Sequence, residues 1–177
     1  MKITAPGNQL DALVRQTRAH HVQLSSMADL KANMLLTMAS IVITLAAPQA
    51  MKAGYQWALL ILIGFCLITI VLAAYVVMPK IPFRAGEGHP VPDVKSPQFN
   101  LLFFGDFTGL SYAQFEAEIE AVLNDTDRTY EVQVREIYVL GTFLADKKYR
   151  FLRLAYTMFI TGLFASFITM LITGARA

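Results

Sequence analysis

Three uncharged apolar runs divide the chain. Ala32 to Ala47 carries no charge over 16 residues, Trp57 to Met78 none over 22, and Leu154 to Thr173 none over 20. A helix needs roughly 20 mostly apolar residues to cross a bilayer. The second and third runs meet that directly. The first meets it by borrowing Met27 to Lys31, with Lys31 snorkelling to the interface along its aliphatic stem. The pattern predicts an all-α membrane protein with three transmembrane helices, at residues 32–47, 55–78 and 154–173.

The periodicity does not stop at the membrane. Leu10, Leu13, Val14, Thr17, His21, Leu24, Ala28, Lys31 and Leu35 recur at helical spacing. With Asn8 as N-cap and Asp11 in the first turn, this predicts one helix from about Gln9 to Ala47. Pro48 to Gly54 then reads as a tight turn, and Tyr55 and Trp57 suit an interfacial aromatic belt. Past the second run, five of seven prolines fall between Pro79 and Pro97, an irregular connection. "FNLLFFGDFTGL" follows, broken by Gly105 and Gly109. Ser111 with Gln114 predicts a capping box opening a short helix to about Asn124. A long helix then begins near Arg128 and continues without proline into the third span. Residues 1–31 and 79–153 are expected to be cytoplasmic. The first and third spans would extend about 33–36 Å into a two-helix parallel stalk, with the 79–124 segment folded against it.

Composition agrees. Of 177 residues, 55% are hydrophobic and only 16% charged, against about 25% charged in soluble domains. Lys and Arg set the orientation: four lie in residues 1–31 and nine in 79–153, against Lys52 alone in the short turn and Arg176 in the tail. The positive-inside rule then places the N-terminus and the long connection in the cytoplasm. "MKITAPGNQLDALVRQTRAHH" has no apolar core beside its basic residues, so a cleaved signal peptide is not expected. A single cysteine, Cys66, excludes an intrachain disulfide. A net charge of +2 is too small to imply nucleic-acid binding.

Asn33, Thr37, Ser40 and Thr44 step by four, three and four, and so share one face of the first span. Gly162, Ser166, Thr169 and Thr173 do the same in the third. The second span has no such row, so spans one and three read as interior elements and span two as lipid-facing. Small and hydroxyl residues let membrane helices approach closely; repeated around a homo-oligomer, the same rows could line a polar path. Asp29 and Lys31, with Asn33, sit at the lip of the first span, where charge is costly unless paired or at the surface. Lys31 shares the stripe of His21 and Leu24, so it is expected to face the partner helix, answered by Glu136 or Asp146, or else to anchor at the interface.

Little points to catalysis. "HH" at His20–His21 cannot chelate one ion, because adjacent helical residues diverge by about 100°. No HExxH, CxxC or P-loop occurs. "RAGEGH", Arg84 to His89, could cradle a phosphate but lacks a following helix. "KKYRFLR", Lys147 to Arg153, is a basic cluster whose ordinary meaning is attraction to anionic lipid.

"LSSMADLKANMLLTMASIVITL" resembles the leading signature of the transmembrane effectors of Pycsar anti-phage systems, with Asp29, Lys31, Ala32 and the Leu35–Leu36 pair at the positions of that family's motif. "FLADKKYRFLRLAYTMFITGLFAS" is similar to its C-terminal part, with Lys148, Tyr149 and Leu152 leading into the last span. The resemblance implies a non-enzymatic effector in the bacterial inner membrane. A partner pyrimidine nucleotide cyclase would make cyclic CMP or cyclic UMP on infection, and the effector would respond by impairing the membrane in abortive infection. No cofactor or metal is implied beyond that activating ligand. Arg84, Lys147, Lys148, Arg150 and His21 are the candidate phosphate contacts. Asp29, Lys31 and Asn33 are the candidate coupling residues. Thr37, Ser40, Thr44, Gly162, Ser166 and Thr169 are the candidate polar faces. The alternative is a membrane scaffold or sensor subunit whose stalk recruits another protein; a membrane enzyme has no support in the residues.

Overall fold

The computed structural model describes residues 3, 6–52, 54–79, 93–94, 96 and 99–175. Among them every regular element is helical: α1 (Asn8–Ala50), α2 (Gln56–Val77), α3 (Phe104–Phe107), α4 (Tyr112–Leu123), α5 (Thr126–Phe143), a π-helix (Leu144–Tyr149) and α6 (Arg150–Gly174). Three helical runs are long and apolar enough to cross a membrane: α1, α2 and the run 126–174.

The element ends follow local chemistry. Ser111 Oγ accepts from the Gln114 N–H while Gln114 Oε1 accepts from the Ser111 N–H, the reciprocal cap the spacing predicts. α5 starts at Thr126, two residues before the expected Arg128, because Asp125 Oδ1 accepts from the Asp127 and Arg128 N–H groups. At the start of α1 the Gly7 carbonyl accepts from Leu10 and Asp11, so Asn8 is the first helical residue and not the cap. The turn expected at Pro48–Gly54 also moves. α1 runs through Pro48 to Ala50, because Pro48 forfeits only one N–H bond near the helix end. The reversal falls at Met51–Tyr55, where Gly54 adopts φ +119°, a conformation open to glycine.

Two compact units are distinguished. The first holds residues 1–23 and 79–143, the second 24–78 and 144–177. In the first unit, Phe99, Leu101 and Val122 form a small core with Phe115, Ile119 and Val132 around it. Residues 99–123 thus pack on α5, and Arg135 Nη1 donates to the Ser96 and Phe99 carbonyls. The opening turns of α1 run parallel to α5: Asp11 meets Tyr130, Arg18 meets Glu136, and His21 lies over Gly141.

In the second unit the core is Ala28, Ala32, Leu35 and Ala39 of α1, Cys66, Ala73 and Val76 of α2, and Leu152, Ala155 and Phe159 of α6. Hydrophobic burial has little force between helices in lipid, so small residues that bring backbones together carry the packing. The α1 residues step by four, three and four along a single stripe.

This packing corrects the reading of span two as lipid-facing. α2 buries Ala58, Cys66, Thr69, Ala73 and Val76. The Gly162 row of α6 turns toward it: a Cβ on Gly162 would stand inside van der Waals distance of Phe65 Cβ, and Gly162 and Ser166 are buried. The α1 row is different. Asn33, Thr37, Ser40 and Thr44 are all exposed, about 100° around the helix from the buried alanine stripe. Thr37 and Thr44 donate to the Asn33 and Ser40 carbonyls of their own helix, so these hydroxyls are satisfied without a neighbouring helix.

Candidate functional site

A polar cluster of the second unit joins α1 to the π-helix. Ser25 and Asp29 are four apart on α1 and so present side chains on one face. Lys148 reaches them from the π-helix. Its Nζ donates to Asp29 Oδ1 at 2.6 Å, Asp29 Oδ2 at 2.7 Å and Ser25 Oγ at 2.9 Å. An ammonium has three hydrogens, and three acceptors surround this one. Next to it, Tyr149 Oη donates to the Leu24 carbonyl at 3.1 Å. In an α-helix neighbouring side chains diverge by about 100°. The i→i+5 bonding of a π-helix widens the turn, so Lys148 and Tyr149 both reach α1.

Lys148 is 9% exposed as a residue, while the Asp29 side chain is 37% exposed. The pair therefore sits at an edge, with its cation inside and its anion toward solvent. The long helix expected from about Arg128 into the third span is present as one helical run, 126–174, with the π-helix set within it. The partner expected for Lys31 is corrected. Glu136 pairs with Arg18 at 3.1 Å and Asp146 is exposed on the π-helix. The carboxylate–lysine contact at the lip is Asp29 with Lys148, and Lys31 is exposed.

Lys31 shares a cavity with other cations. An open cavity of about 1110 Å³ in the second unit has Lys31, Arg150 and Arg153 in its wall, with Tyr149 and Tyr156. No carboxylate lines it among the described residues.

Of the five residues proposed for phosphate contact, Arg84 lies outside the described residues. Lys148 has its three hydrogens directed at Asp29 and Ser25. Lys147 is exposed on the π-helix, and Arg150 opens into the basic cavity. His21 packs on α5, where a Cβ on Gly141 would come 3.3 Å from His21 Cε1, and its buried Nδ1 has no hydrogen-bond partner.

The first unit holds a cleft of about 450 Å³ that the sequence reading missed. Phe99, Leu101 and Val122 supply apolar wall, and Glu118, Arg128, Glu131 and Arg135 supply charge. Arg128 stands 3.6 Å from Glu118, and Arg135 Nη2 donates to Glu131 at 3.0 Å. The i,i+4 spacing of Glu131 and Arg135 was a legible pairing signal. The approach of α4 to α5 that closes the cleft was not.

Two groups beside α1 have shifted acidities. The hydrogen bond from Tyr130 to Asp11, at 2.6 Å, holds the phenolic proton and raises the Tyr130 pKa, with burial adding to it. Burial raises the Glu136 carboxyl above its ordinary value, against the opposing pull of Arg18. A carboxyl raised on folding binds its proton more tightly in the folded state. Stability therefore falls as pH rises from the ordinary value, 4.5, through the folded one. Glu136→Gln should remove that slope. Its thermal midpoint relative to wild type should climb as pH is raised through that window and be level below it. Thermal unfolding at stepped pH is the check, and a constant difference would contradict the assignment.

Among the described residues no three His, Cys, Asp or Glu side chains gather where they could hold a metal. Three helices long and apolar enough to cross a membrane define the class as a helical membrane protein. The family described as PycTM, Pycsar effector protein domain, matches residues 12–174. The chain belongs to that family and is a Pycsar anti-phage effector. No curated protein and no solved structure matches it.

Proposed function

We propose that this chain is switched on by a cyclic pyrimidine nucleotide, cyclic CMP or cyclic UMP, made by the cyclase that Pycsar membership implies, and that the activated chain impairs the bacterial inner membrane. The observation that carries this is the family match over residues 12–174. In this reading the N-terminus and the 79–153 segment face the cytoplasm, as the Lys and Arg distribution favours, and the chain acts as a homo-oligomer.

The cleft of the first unit is the site we assign to the ligand, in preference to Arg84, Lys147, Lys148, Arg150 and His21. Its volume of about 450 Å³ falls in the usual range for small-molecule sites, roughly 300–1,000 Å³. Val94, Ala121 and Val132, half-buried in its wall, offer apolar surface to a base. Arg128, whose side chain is 47% exposed, offers a guanidinium fork to a phosphate. A ligand shifts the equilibrium only by binding the active state better. Displacing Glu118 from Arg128 is a local change that bound phosphate would favour. The Asp29–Lys148 pair and the π-helix stand where the chain enters the spans, and they are the element whose rearrangement would alter span packing.

The test uses purified full-length protein in vesicles. Cyclic CMP or cyclic UMP should release a trapped dye, and cyclic AMP and cyclic GMP should not. Arg128→Gln should raise the nucleotide concentration needed about tenfold or more, the loss typical of one charge-assisted contact. Vesicles that stay tight with every cyclic nucleotide would sink the proposal. Stoichiometric capture of a protein partner without leakage would instead favour a scaffold. Thr37→Leu with Ser40→Leu separates the roles of the exposed α1 row: lost leakage with intact nucleotide binding marks it as the wall of the leak, and unchanged leakage marks it as packing surface.

A further inference from the structure

The geometry points to a binding site for the phosphate of an anionic phospholipid, formed by Lys31, Arg150 and Arg153 at the mouth of the first and third spans. Lys31 is the last charge before the run 32–47, and Arg153 the last before 154–173. They are more than a hundred residues apart in sequence. Contacts of α1 with the π-helix, Leu24 with Tyr149 and Asp29 with Lys148, bring the two segments together. With Arg150 they line one open cavity of about 1110 Å³.

Three like charges around one cavity repel one another unless an anion joins them. The lip carboxylate Asp29 is held by Lys148, and no acidic side chain lines the cavity among the described residues. Tyr149 and Tyr156 in the same wall are amphipathic residues of the kind that settle at headgroup depth. The cavity opens beside the first turns of an uncharged span, so a phosphate held there would carry acyl chains along apolar surface. A soluble phosphate has no use for that surface. This favours a lipid headgroup over a free anion, and the inference does not depend on which nucleotide activates the protein.

Full-length protein purified in mild detergent is offered phosphatidylglycerol or phosphatidylcholine, and retained lipid is counted by native mass spectrometry. Phosphatidylglycerol should be retained preferentially. Each basic residue near an anionic surface is worth about a fivefold gain in partitioning, so Lys31→Gln with Arg150→Gln and Arg153→Gln should lower retention on the order of 100-fold. Lys52→Gln, at the turn between α1 and α2, should leave it unchanged. Equal retention by the triple variant would overturn the site. So would displacement of the lipid by millimolar inorganic phosphate or cyclic CMP, which would make it a soluble-anion site. A second measurement needs no variant. A photoactivatable phosphatidylglycerol should crosslink wild-type protein within residues 27–33 and 145–157, and adducts spread evenly over the spans would equally overturn it.

Discussion

Asp29→Asn is expected to destabilise the protein more than Lys148→Met, although both remove the same ion pair. The asymmetry follows from burial. Lys148 is 9% exposed and points all three ammonium hydrogens at Asp29 and Ser25. Losing the carboxylate charge strands a buried cation among neutral acceptors. Breaking a fully buried pair costs about 3–5 kcal/mol. Because the Asp29 side chain is 37% exposed and water can partly replace it, about 2–3 kcal/mol is expected here. Lys148→Met leaves an anion that water can reach and replaces the aliphatic stem with one of similar size, so about 1 kcal/mol is expected. The double variant should fall close to Lys148→Met alone, since the two sites share one interaction. Thermal unfolding of the three variants in one detergent decides it. A larger loss for Lys148→Met would mean that the carboxylate, not the ammonium, is the stranded charge.

Gly162→Ala is expected to separate α2 from α6. An added Cβ would meet Phe65 Cβ inside van der Waals contact, and neither atom belongs to a rotatable tip. The backbones must part, at about 1–3 kcal/mol for overpacking. Phe65→Ala keeps its Cβ and should not rescue the variant; Phe65→Gly should. Gly64→Ala is the control, because nothing lies within 4 Å of its Cβ position. It should be neutral or slightly stabilising through better helix propensity. If Gly162→Ala proves as mild as Gly64→Ala, the close approach of α2 and α6 does not hold the second unit together.

Several features were legible before any coordinates. The uncharged runs required helices, because no other open-chain structure satisfies its backbone in lipid. The capping box at Ser111 and Gln114 was readable because both partners lie within four residues. The motif around Asp29, Lys31 and Ala32 was sufficient for the Pycsar resemblance, and the family match confirms it. The errors have a common origin. Periodicity places Lys31 on the stripe of Ala28 and Leu35, and those two are buried while Lys31 stays exposed, because spacing specifies which residues share a face but not how far around it the neighbouring helix reaches. The contact centres on Ala28, Ala32, Leu35 and Ala39, because small side chains allow closer approach than a lysine stem. The same ambiguity put α2 on the outside. Its composition is apolar all round, so nothing in its pattern told the Phe65 side from the opposite one.

The π-helix had no signal at all. "LADKKY" is compatible with an α-helix residue by residue, and the partners of Lys148 and Tyr149 lie far off in sequence on α1. By itself the sequence determined three helices long and apolar enough to cross a membrane and the likeness to the Pycsar effector family, since span length, charge exclusion and short motifs are local properties. Only the tertiary structure decided that Lys148 answers Asp29, that Gly162 admits Phe65, and that Lys31, Arg150 and Arg153 share one cavity. Each of these joins residues close to a hundred or more positions apart, and helix packing, not local propensity, selects which of them meet.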